Sequence, residues 1–100
     1  MKIINEPEDK IVTIIETLIK KYNFDVNQKM NLSKDRILHF AVYHMKPKIV
    51  SFLVDEQGAE IDLKNEFGFT PLNLIERRIE TEENEEIREK LIQIERCLRK

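Results

Sequence analysis

Glycine, proline and cysteine are scarce in this chain, and each shortage excludes a class of function. The 100 residues hold two glycines, three prolines and one cysteine. The isolated Gly58 and Gly68 cannot build a phosphate-cradling loop of the G-x-G-x-x-G or G-x-x-x-x-G-K kind. A lone cysteine, Cys97, cannot close an intrachain disulfide, which fits a reducing compartment and points to the cytoplasm. It sits in a charged helical tail with no histidine near it in sequence, so nothing marks it as an activated thiol. Neither Cys-x-x-Cys nor His-Glu-x-x-His is present, which speaks against a zinc site. No stretch approaches the ~18–20 apolar residues of a membrane span. Met1–Glu6 lacks the apolar core of a secretory signal.

Excess charge of one sign is also missing. The formal net charge is −2 and the isoelectric point is near 5.7, so there is no basic field to attract nucleic acid. Hydrophobic residues make up 41% of the chain and charged residues 36%. That is enough for the core of one domain under a heavily solvated surface. The acidic run Glu80, Glu82, Glu83, Glu85 and Glu86 contains no glycine around which a calcium loop could turn, and reads as solvated helix ends. No nucleophile–base pair is recognisable, and no cofactor or metal is expected.

What the chain does have is helical periodicity. Asn5 and Pro7 suit the start of a helix over about residues 7–22, with Ile11, Ile14, Ile15, Leu18 and Ile19 on one face. Lys20 and Lys21 suit its C-terminal end, and Asn23 tolerates the left-handed conformation that often follows. A second helix is predicted from about Asp35 to Met45, with Leu38, Ala41 and Val42 turned inward. Pro47 opens a third, with Ile49, Val50, Leu53 and Val54 as its buried stripe and Gly58 as its stop. Thr70-Pro71 begins a fourth, burying Leu72, Ile75 and Ile79. A last helix carries Ile87, Leu91, Ile94 and Leu98 almost to Lys100.

These helices come with recurring motifs. Arg36-Ile37-Leu38-His39-Phe40-Ala41 contains L-H-x-A, and Thr70-Pro71-Leu72 contains T-P-L. Ile49-Val50-Ser51-Phe52-Leu53-Val54 is followed by Gly58-Ala59-Glu60-Ile61-Asp62, and Phe24-Asp25-Val26-Asn27 echoes that loop at an offset of 35 residues. Together these pieces resemble the ankyrin-repeat family, whose repeats open on T-P-L-H-x-A. The resemblance implies an all-α, ankyrin-type helix-turn-helix solenoid with short hairpin loops. Residues 1–30 would be a partial repeat whose inner helix is missing or reduced to the first few residues, 31–64 a complete repeat, and 65–100 a charged capping repeat. Residues 28–35 exceed their counterpart by one, with Ser33 replacing the expected glycine and Arg36 the expected threonine.

The resemblance also implies a function. In the family, hairpin tips and exposed sides of inner helices line a concave face that holds protein partners. Carried over, that face comprises Asn31, Leu32 and Lys34 on one tip and Glu66, Phe67 and Phe69 on the next. Tyr43 and His44 lie on one inner helix, Arg77 and Arg78 on the other. Aromatics and arginines are the residue types that dominate interface energetics. His39 is assigned hydrogen bonding between loops, with Asn73 its counterpart one repeat later. The expected function is therefore non-enzymatic protein binding. Two alternatives share the sequence: a regulatory subunit or inhibitor of an enzyme, and a homo-oligomer assembling through the N-terminal edge around Ile3, Ile4 and Ile11.

Overall fold

A computed structural model describes residues 7–99. Ile3, Ile4, Asn5 and Lys100 of the sequence reading lie outside the described residues. Within them the chain forms α1 (Glu8–Tyr22), α2 (Ile37–Tyr43), α3 (Pro47–Ser51) running into a π-helical turn (Phe52–Glu56), α4 (Pro71–Thr81) and α5 (Glu85–Leu98). There is no strand among the described residues. Helices α1, α3 and α5 pack in sequence as an outer row, while α2 and α4 pack as an inner row. Each inner helix also pairs with the outer helix that follows it. The fold is an all-α repeat stack, as expected, with α1 an outer helix lacking an inner partner among the described residues.

Local chemistry explains the boundaries. Pro7 stands just before the first helical residue rather than inside the first turn, and its carbonyl accepts from the Ile11 N–H at 3.0 Å. Proline's fixed φ and missing N–H suit that entry. At the other end Asn23 is left-handed (φ 56°), and the Phe24 N–H reaches back to the Leu18 carbonyl at 3.1 Å. Thirty-five residues on, Gly58 (φ 62°) is followed by Ala59, whose N–H reaches the Leu53 carbonyl at 2.9 Å. This is the same helix-terminating hydrogen bond in both repeats. Pro47 and Pro71 occupy first-turn positions. The Thr70 hydroxyl accepts from the Asn73 N–H at 3.1 Å, while the Asn73 side chain accepts from the Thr70 N–H at 3.0 Å. Asn84 caps α5 by accepting from the N–H groups of Glu86 and Ile87.

Three expectations need correction. Helix α2 is shorter than Asp35–Met45: Arg36 is still extended at its start, and Met45 is left-handed (φ 54°) at its end. The residue at the glycine position of the first hairpin tip is Lys34 (φ 61°), not Ser33. Its N–H bonds to Asn31 just as the Gly68 N–H bonds to Asn65, so the extra residue lies before the tip. Third, α3 does not stay α-helical. The Gln57 N–H reaches the Phe52 carbonyl, an i to i+5 bond that widens the turn. Phe52 is thereby buried beside Leu53, and Val54 is only half-buried.

The core lies between the two rows: Ile11 and Ile15 of α1, Ile37, Leu38, Ala41 and Val42 of α2, Ile49, Val50, Phe52 and Leu53, then Ile75, Leu91, Ile94 and Leu98. Ile14, Leu18, Ile19, Leu72, Ile79 and Ile87 were expected inside and are half-buried. Ile11 is 1% exposed within the single chain, so it is not displayed at an edge for self-assembly.

Candidate functional site

The inner helices and the hairpins beside them are held by a polar framework at the base of the tips. His39 is the one buried polar side chain among the described residues. Its Nδ1 accepts from the Arg36 N–H at 3.0 Å, and its Nε2 lies 2.9 Å from the Phe69 carbonyl oxygen. Those two partners assign the tautomer: Nδ1 must be bare and Nε2 must carry the proton. His39 thus repeats, for the first repeat, the capping role of the Asn73 side chain, and in addition reaches the next hairpin.

Arg36 adds a second link. Its guanidinium donates to the carbonyls of Asn27 (3.2 Å), Lys34 (2.6 Å) and Lys64 (3.0 Å), so one side chain spans three loop segments. Asn65 donates to Asp35 at 2.9 Å, the Glu66 N–H to the Ser33 carbonyl at 2.7 Å, and the Glu60 N–H to the Asn27 side chain at 2.9 Å. Of these residues the sequence motifs mark only His39 for this task. The signal was available: Arg36 stands where a short threonine was expected, and only a long, forked donor can serve several carbonyls at once.

On this framework sit the ten residues singled out from the sequence. Asn31, Leu32 and Lys34 are exposed on the first tip, Leu32 at 96%. Glu66 and Phe67 are exposed on the second, Phe67 at 67%. Phe69 is half-buried, with the exposed Arg77 guanidinium over its ring, 4.8 Å from the centroid. Tyr43 is 65% exposed and meets the half-buried His44 edge-on, ring centroids 5.2 Å apart. Partial burial, with the nearby Lys46 charge adding to it, holds the His44 pKa below its ordinary value. Arg78 is half-buried; it donates to the Tyr43 carbonyl at 3.2 Å and lies 3.9 Å from Glu82. His39 and His44 do not converge, and no group of three metal-ligating side chains forms among the described residues.

Between α2 and α4 the surface opens into two adjoining clefts that share Tyr43 and Leu74. One, of about 240 Å³, runs toward the hairpin base past Asp35, His39 and Asn65. The other, of about 350 Å³, is lined by Val42, Tyr43, Leu74, Ile75, Arg77, Arg78 and Thr81. The sequence marks Leu74 neither for this face nor among the residues α4 is expected to bury. No helix among the described residues is long and apolar enough to cross a membrane.

The paired helices, the hairpins and the concave clefts define a helical repeat protein. Residues 36–66 match the family model for the ankyrin repeat, and the all-helical stack around them is consistent with an ankyrin-type fold. No curated protein matches the chain. Ankyrin repeats as a class mediate protein–protein interaction and are typically non-enzymatic.

Proposed function

We propose that this chain binds a partner protein through its concave face, in the cytoplasm, with 31–64 as its complete repeat between the partial repeat 1–30 and the capping repeat 65–100. The contact surface comprises Asn31, Leu32, Lys34, Tyr43, His44, Glu66, Phe67, Phe69, Arg77 and Arg78. One observation carries the reading. Four large hydrophobic side chains are exposed among the described residues, and three of them, Leu32, Tyr43 and Phe67, fall on these two tips and the inner helix. Scattered exposed apolar residues need no explanation, but several on one face are an unfavourable surface unless something covers them.

The mechanism is docking onto a preformed surface. The tips are tied at their bases by His39, Arg36 and Asn65, so little backbone order is left to impose on binding. Leu32 and Phe67 act as apolar anchors, and the flanking charges tune which partner is accepted.

A double variant, Leu32→Glu with Phe67→Glu, tests this directly. Both side chains project into solvent, so circular dichroism should match the wild type. Capture from lysate followed by mass spectrometry should retain a protein on the wild type that the double variant loses. Identical profiles would move the binding face elsewhere.

A further inference from the structure

We propose that the cleft between α2 and α4 takes an acidic peptide segment of a partner: an apolar side chain entering between Tyr43 and Leu74, and a neighbouring carboxylate paired with Arg77. The inference rests on the concave-face reading and narrows it to one ligand chemistry. The cleft walls contributed by Val42, Tyr43, Leu74 and Ile75 are apolar, a surface that gains by covering a hydrophobic side chain.

The two arginines beside the cleft are in different states. Arg78 is committed, donating to the Tyr43 carbonyl and facing Glu82. Arg77 forms no ion pair among the described residues, and its side chain makes no hydrogen bond among them. The Phe69 ring holds it through the face of the charge, which leaves all of its N–H donors available. A guanidinium held in this way has lost part of its rotamer freedom before any partner arrives, so forming a bidentate carboxylate pair costs less entropy.

The carboxylates around the cleft, including the acidic rim of Glu80, Glu82 and Glu83 that meets it at Thr81, confine an incoming acid to the place where Arg77 stands unpaired. Asp35, beside the adjoining cleft, has its two oxygens taken by the Asn31 and Asn65 side chains. Glu66 stands exposed on the second tip, so an incoming acid is directed to the helix side, where Arg77 stands. A phosphate calls for a cluster of cations; with Arg78 already facing Glu82, a single unpaired arginine at the cleft matches one side-chain carboxylate.

Selection from a display library of random linear peptides tests this on the intact chain, using wild type, Arg77→Gln and Arg77→Glu, each checked for folding by circular dichroism. Wild type should recover peptides enriched several-fold in Asp or Glu beside a large apolar residue. Arg77→Gln should return the acidic frequency to that of the unselected library, and Arg77→Glu should invert the preference toward Lys or Arg. Peptides without acidic preference, or with the same preference on Arg77→Glu, overturn the proposal. If such peptides are still lost on Tyr43→Glu, the concave-face reading survives and only the acidic partner is sunk. Recovery of no peptide at all rules out a peptide occupant, and the lysate capture then decides the wider reading on its own. Sedimentation of the wild type as a dimer that Arg77→Glu dissociates would give the cleft to a second copy of the chain, again against the proposal.

Discussion

The imidazole of His39 on one inner helix donates from Nε2 to the carbonyl oxygen of Phe69 in the following hairpin, 2.9 Å away. Because its Nδ1 simultaneously accepts the Arg36 N–H, a single ring starts one helix and fastens the next loop to it. A histidine in this place is a joint between repeats, and its loss should be felt by the whole stack.

His39→Ala leaves the Arg36 N–H and the Phe69 carbonyl without these partners. A buried group stripped of its partner costs about 1–3 kcal/mol. Urea denaturation should show a lowered midpoint of that order. His39→Asn, which can accept from the Arg36 N–H as Asn73 does for Thr70, should fall between Ala and wild type. Equal midpoints for Ala and wild type would remove His39 from the framework.

Arg36→Lys tests the three-carbonyl clip. A lysine is a point charge that cannot reproduce the forked donor geometry toward Asn27, Lys34 and Lys64. The expected loss is about 1–2 kcal/mol, the scale of net hydrogen-bond contributions. Amide hydrogen exchange should quicken more in both hairpin tips than in α5.

Backbone strain offers a matched pair of substitutions. Lys34 has φ 61° with its side chain in solvent, so Lys34→Gly should raise the melting temperature, by up to about 1 kcal/mol in stability. Gly58 has φ 62°, and nothing lies within 4 Å of the place a Cβ would occupy. Gly58→Ala should therefore cost about 1 kcal/mol from the backbone alone. Opposite signs at these two sites are the expected result of thermal melts.

The His44 pKa predicts a pH dependence. Partial burial lowers it in the folded state, so the unfolded chain binds a proton more readily. This contribution to stability is present above the unfolded value near 6.5 and is lost as pH falls from there through the lower folded value. The melting temperature should drop on acidification across that window, and His44→Gln should flatten the drop. An unchanged slope in the variant would assign the effect to other groups.

Much of the fold was legible because its determinants are local. Proline at the start of α3 and α4, glycine or asparagine after α1 and α3, and apolar residues at helical spacing each act within a turn or two of chain. What escaped is what depends on distant partners or on geometry that composition does not encode. The π-helical turn at Phe52–Glu56 changes which side chain is buried, and no residue in it announces the wider turn. The left-handed position falls on Lys34 because the extra residue enters before the tip, a register marked by the Lys34 N–H bonding to the Asn31 carbonyl as the Gly68 N–H bonds to that of Asn65, rather than by propensity. On the candidate face, the exposure of Leu32 and Phe67 followed from their place on hairpin tips, and Tyr43 and Arg77 from theirs on inner helices. The stacking of Arg77 on Phe69 and the commitment of Arg78 to Glu82 and Tyr43 required three dimensions.

The distribution of links between repeats has a mechanical consequence. Along the hairpins, successive units are tied by short directional bonds: His39 to Phe69, Arg36 to Lys64, Asn65 to Asp35 and Glu66 to Ser33. The outer helices meet chiefly through non-directional apolar packing, with a backbone-donated link near solvent from the Lys48 N–H to the Glu8 carboxylate and a loose ion pair from Lys48 to Asp9. Directional bonds resist stretching over tenths of an ångström, whereas packed methyl groups tolerate small slides. The stack is therefore a bar with one inextensible edge. The hairpin lip that carries Phe67 and Phe69 should hold its length better than the outer side, and the spacing between the two tips is the dimension expected to vary least.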